Sequence, residues 1–155
     1  MRAVLELLDG AMRLAGRNER GQLTYFDADP SVGGNDTAAR PLEVFLQAMM
    51  ACTAMDVLSI VRKKRKTVTA FRLTADAERA SEHPRVFRRI HLRYELTSPD
   101  ATEQDLQRAI ELSQSTYCSA SIMVRRSGCE ITWEAHLLRP TASDSPVASG
   151  DVHGR

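Results

Sequence analysis

Residues 40–65 read RPLEVFLQAMMACTAMDVLSIVRKKR, an apolar run opened by a proline and closed by five consecutive cations through Lys66. Pro41 suits the first position of a helix, where no backbone donor is needed. The terminal cations oppose the negative end of a helix dipole. Twenty residues lie between, 15 of them apolar, which is about the length that crosses a bilayer. Glu43, Gln47 and Asp56 interrupt them, and carboxylates near a bilayer centre are costly. The stretch is therefore expected to be the central helix of a core rather than a membrane span. Midway along it stands Cys52. A cysteine in such a place is either a small core residue or a working thiol.

Around this helix the chain is legible as short elements. Near the N-terminus, Ala3, Leu5 and Leu7 begin one strand, and GQLTYFDAD after the turn-like GRNERG offers its partner. DPSVGGNDTAARP collects turn residues and predicts an irregular loop. Beyond the helix, Thr69, Phe71, Leu73, Ala75 and Ala77 alternate with polar residues, and so do Ile90, Leu92, Tyr94 and Leu96. Thr102 and Asp105 have capping-box spacing, and Leu106, Ala109, Ile110, Ser113 and Tyr117 continue as a helix to Cys118. SASIMVRRSG predicts a short helix ending near Gly128, and Ile131, Trp133, Ala135 and Leu137 a closing strand. Residues 1–138 form one expected domain, and the Ser-, Pro-, Asp- and Gly-rich 139–155 an expected disordered tail. Strands clustered apart from helices give an α+β class with mostly antiparallel pairing. A helix apolar on nearly every side needs more cover than one small sheet provides, which points to burial between two sheets in a dimer.

Composition narrows the function classes. The 155 residues are 43% hydrophobic with a formal net charge of +1, which favours neither a nucleic-acid nor a strongly acidic partner. The RKKRK run has no interleaved aromatic surface and is read as a solvated helix end. Glu6 and Asp9 break the N-terminal segment too early for a signal peptide, and three cysteines without a dense framework suit the reducing cytoplasm. Neither the four histidines nor the cysteines show zinc-site spacing, so no metal is expected. Cys129 begins an alternating strand and reads as a packed spectator. Met49, Met50 and Met55 around Cys52 are either adaptable core filling or the wall of an apolar substrate pocket.

Four segments together carry a resemblance: Gly33-Gly34, the 40–65 run, HPRVFRRIHLRYEL at 83–96 and RAIELSQSTYCSASIMV at 108–124. Over residues 21–138 the chain resembles the OsmC/Ohr family of osmotically inducible and organic hydroperoxide resistance proteins, and its less-characterised OsmC-like branch in particular. The resemblance implies a swapped homodimer with long central apolar helices packed between antiparallel sheets. It implies a thiol-dependent peroxidase acting on organic hydroperoxides, with Cys52 peroxidatic, Cys118 resolving, an external dithiol as reductant, and no cofactor. The family pairs an activating arginine with a glutamate directly after the helix-opening proline. Here Leu42 occupies that place and Glu43 follows, turned by about 100°. Arg40, Arg13 and Arg17 are the arginine candidates, Arg40 first because its tether to the helix is short. Asp56 shares a helix face with Cys52. A carboxylate there opposes a thiolate unless a cation offsets it. The alternative reading is a non-catalytic stress-response or apolar-ligand-binding protein on the same fold.

Overall fold

The computed structural model describes residues 1–141; most of the expected tail lies outside them. The fold is mixed α+β, and the chain groups into two compact units whose division falls inside the long helix.

The first unit, Met1–Ala48, holds a three-stranded antiparallel meander: β1 (Ala3–Leu7), β2 (Leu14–Asn18) and β3 (Leu23–Phe26), with β2 in the centre. The sequence suggested only a strand pair. LAGRN in β2 has too few apolar residues for a period-two signal, so its strand state comes from pairing on both sides. The loop that follows is ordered around Asp27. Its carboxylate accepts hydrogen bonds from the Thr37 hydroxyl (2.7 Å) and from the backbone N–H groups of Thr37, Ala28 and Asn35. The Thr37 bonds hold this carboxyl well below the usual range despite its burial.

The long helix α1 (Pro41–Lys63) begins at the expected proline. Its buried residues Met49, Thr53, Val57 and Val61 recur every four positions and so form one face. In the second unit, from Met49 onward, β4 (Ala70–Arg79), β5 (Phe87–Thr97) and β6 (Glu130–Leu138) form a sheet with β5 central. Ile90, Leu92, Tyr94 and Leu96 on one face of β5 are fully buried, as alternation predicts. β4 pairs antiparallel to β5, but β6 runs parallel to it. The pairing is thus mostly antiparallel, as expected, with one parallel pair. The parallel pair is possible because the β5–β6 connection contains helices, as a parallel crossover needs.

Those helices are α2 (Glu103–Leu112) and α3 (Ser119–Arg126), separated by a π-helical turn over Ser113–Tyr117. The capping box at α2 is present: Asp105 N–H donates to Thr102 Oγ1 (3.1 Å), and Thr102 N–H donates to Asp105 Oδ2 (3.0 Å). The basic run docks here, with Lys64 Nζ donating to Asp105 Oδ1 (2.9 Å) and Lys66 Nζ to the Asp100 carbonyl (3.0 Å). The bond from Lys64, followed by those from Thr102, lowers the Asp105 pKa to about 2.

Candidate functional site

Thr53 is the polar residue of the buried α1 face, and its hydroxyl needs partners. It finds the Tyr94 hydroxyl on β5 (2.7 Å) and the Ser113 hydroxyl at the start of the π turn (2.8 Å). Ser113 Oγ donates to Asp56 Oδ2 at 3.0 Å. Gln114, next in the π turn, donates from Nε2 to Thr53 Oγ1 (3.1 Å) and Tyr94 OH (3.0 Å). The Gln114 amide is fixed by Arg125, whose guanidinium donates to its Oε1 (3.0 Å) and to its carbonyl (2.8 Å). Because Ser113 donates to the Asp56 carboxylate, the hydroxyl protons have one consistent direction: Tyr94 donates to Thr53, and Thr53 to Ser113. Burial pushes the Tyr94 pKa up to about 12, against the Thr53 and Gln114 hydrogen bonds, so it remains a donor.

Cys118 follows the π turn and caps α3. Ser121 N–H reaches its sulfur (3.4 Å), while the thiol donates to Ser121 Oγ (3.1 Å). It is fully buried, and burial outweighs the Ser121 contacts in raising its pKa, with Cys52 adding to the rise. Cys52 is half-buried, and no disulfide joins the two. The sulfurs of Cys52 and Cys118 and a carboxylate oxygen of Asp56 all lie within 4.8 Å of one another. Asp56 also lines a cleft of about 520 Å³ together with Ile60, Lys63, Lys64, Leu112 and Tyr117. The site thus offers a half-exposed thiol, a buried thiol beside it, a carboxylate, and an open cleft at the carboxylate.

The other sequence candidates belong to the first unit. The Arg40 guanidinium pairs with Asp29 (2.7 Å) and Asp36 (3.5 Å). Glu43 Oε2 accepts from the Arg40 backbone N–H (2.9 Å), an N-terminal capping contact rather than a grip on the guanidinium. Arg13 stacks over Tyr25, 5.7 Å from the ring centroid, and its buried Nε has no hydrogen-bond partner among the described residues. Gly33 adopts a left-handed φ of 92°, and a Cβ on Gly34 would collide with the Ala28 backbone, so both glycines are required by the loop. Cys129 is buried immediately before β6.

Thr53, Tyr94, Ser113, Gln114, Ser121 and Arg125 were not singled out from the sequence as site residues. The available signal was polar residues on otherwise apolar faces: Thr53 within ACTAMDV, and Ser113 on the apolar face of the second helix. The π turn itself had no signal, although such bulges concentrate at functional sites.

Residues 33–134 match the family described as OsmC-like protein, and the chain belongs to that family. It is 31% identical over 127 residues to protein YhfA of Escherichia coli K12, covering 82% of this chain and 91% of that one. Among solved structures it is similar to a hypothetical protein of Aquifex aeolicus VF5, at 26% identity and a TM-score of 0.72 over 88% of this chain and 96% of that one. It also shares its fold with the organic hydroperoxide resistance protein OhrB of Bacillus subtilis. That match has a TM-score of 0.56 at 14% identity, over 88% of this chain and 98% of that one.

Proposed function

We propose that the chain is a cytoplasmic thiol peroxidase that reduces organic hydroperoxides. The observation that supports this reading is the convergence of two free thiols of unequal exposure, Cys52 half-buried and Cys118 fully buried. The more exposed thiol meets the substrate. A Cys52 thiolate attacks the peroxide oxygen, the O–O bond breaks, and the alkoxide takes a proton to leave as an alcohol. The resulting sulfenic acid condenses with the Cys118 thiol, which forms the disulfide and releases water. An external dithiol then returns both cysteines to thiols and is itself oxidised to a disulfide. Bond formation requires the sulfurs to close to about 2.05 Å.

Thiolate formation beside Asp56 calls for a cation. Of the three candidate arginines, Arg40 already pairs with two carboxylates, whereas Arg13 has no ion pair among the described residues. Arg40, Arg13 and Arg17 are the arginines to test, with Glu43 as the carboxylate that would orient one of them.

Cumene hydroperoxide turnover with a dithiol tests the proposal. Cys52→Ser should abolish turnover, and Cys118→Ser should accumulate a dimedone-reactive sulfenic acid at Cys52. Replacing the activating arginine by Ala should slow Cys52 alkylation by iodoacetamide roughly tenfold or more. Turnover that survives Cys52→Ser would end the assignment. The cleft beside Asp56 supports a second reading, a non-catalytic binder of small apolar ligands. A co-purified apolar ligand with two unreactive thiols would favour that reading instead.

A further inference from the structure

Cys52 and Asp56 stand one helical turn apart on α1, and Cys118 is delivered to them by the π turn. Their three donor atoms lie within 4.8 Å of one another. In tetrahedral zinc sites, bonds of about 2.3 Å to sulfur and 2.0–2.2 Å to oxygen put neighbouring ligand atoms roughly 3.5–3.8 Å apart. The cluster is therefore within about an ångström of the size such an ion needs. Its chemistry is also suitable. Two thiolates and a carboxylate would carry three negative charges together, and Asp56 has no ion pair among the described residues. Sulfur ligands select a thiophilic ion over magnesium or calcium.

The surrounding contacts are those that orient metal ligands. Ser113 Oγ holds one Asp56 oxygen at 3.0 Å, and Gln114 holds the Thr53 hydroxyl that supports Ser113. Ser121 N–H is aimed at the Cys118 sulfur, and the Ser121 hydroxyl can reverse to donate to it once the thiol proton leaves. The open cleft lined by Asp56 gives solvent a route to that ligand.

We propose that the reduced chain binds one thiophilic divalent cation of the Zn²⁺ class through Cys52, Asp56 and Cys118, with water as the fourth ligand. Binding releases the two thiol protons, and the ion accepts lone pairs from two sulfurs and one carboxylate oxygen. A Cys52–Cys118 disulfide has spent those sulfur electrons on its own bond, so bound ion and disulfide exclude each other. The site stands apart from the peroxidase reading, because ligation requires no reaction with peroxide.

The test is Co²⁺ titration of the reduced chain, followed by absorption spectroscopy and then by Zn²⁺ displacement. One Co²⁺ per chain with a thiolate-to-cobalt charge-transfer band is expected, unchanged in Cys129→Ser. The band should be lost in Cys52→Ser, in Cys118→Ser and after oxidation with diamide, and the affinity should fall at least roughly tenfold in Asp56→Asn. Circular dichroism of each variant confirms that it is folded. Because Cys118 is buried, alkylation of the half-exposed Cys52 provides a second way to remove a ligand without a core substitution. No band in the reduced wild type, a band that persists in folded Cys118→Ser or after Cys52 alkylation, or undiminished affinity in Asp56→Asn would each overturn the site. Hydroperoxide turnover measured separately with a chelator present reports on the peroxidase reading alone, so either proposal can fail without the other.

Discussion

At Cys118 two opposing influences meet: the Ser121 N–H favours the thiolate, and burial disfavours it. Burial wins. The same holds for Tyr94, raised to about 12 by burial. For both groups the folded state binds its proton more tightly than the unfolded chain does. Their contribution to stability is complete below the unfolded pKa, about 9.0 for the cysteine and 10.0 for the tyrosine. Above those values it falls as the unfolded state begins to lose protons, until the folded pKa is reached. The unfolding free energy from urea titrations should therefore decrease between about pH 9 and about pH 12, by at most about 1.4 kcal/mol per pH unit per group. Tyr94→Phe and Cys118→Ala should each flatten this slope while lowering stability at neutral pH. Slopes identical to wild type in both variants would show that neither proton is held by the fold.

Among the elements, the loop between β3 and α1 is the most demanding of its sequence. Asp27 gathers the backbone donors of Ala28, Asn35 and Thr37, and this brings Gly34 against the Ala28 backbone. Gly34→Ala forces a methyl group onto a carbonyl that cannot rotate away, and should cost roughly 1–3 kcal/mol. Chemical denaturation measures the loss; a change below a few tenths would mean the loop yields freely. The π turn is the corresponding feature on the other side of the sequence. Ser113 and Gln114 there turn a polar pair toward Thr53 and Tyr94, and the following residue out of the turn is the second thiol. One inserted residue thus separates an ordinary helix end from a site.

For the whole molecule, α1 raises the question of cover. Its length and apolarity equal those of a membrane span, yet it buries one face, and Phe45 and Met55 remain 49% and 70% exposed. Hiding such side chains contributes about 25 cal/mol per Å² of apolar surface. A second copy of the chain is the proposed cover, as expected from the sequence. Sedimentation should give a homodimer at micromolar concentration, and Met55→Glu should shift it toward monomer by burying an unpaired charge. A folded wild-type monomer under the same conditions would overturn this.

The sequence by itself determined the elements whose burial repeats locally. The alternation of Ile90, Leu92, Tyr94 and Leu96, the Thr102–Asp105 cap and the Pro41 helix start each depend on neighbours a few residues away. It also marked Cys52 and Cys118 as a pair, through the resemblance of the segments around them. Only the tertiary structure decided what depends on distant partners. LAGRN became a central strand by pairing on both edges, and β6 entered parallel because two helices intervene. Thr53, Tyr94 and Gln114 became one hydrogen-bonded group because each is buried where the others are. Asp56 came to lie beside two thiols for the same reason. Spacing along the chain gave no metal pattern, since ligands four residues apart on one helix meet the third only through the packing of the π turn. Periodicity records which face of an element is buried; which side chains then meet is settled by contacts between elements far apart in sequence.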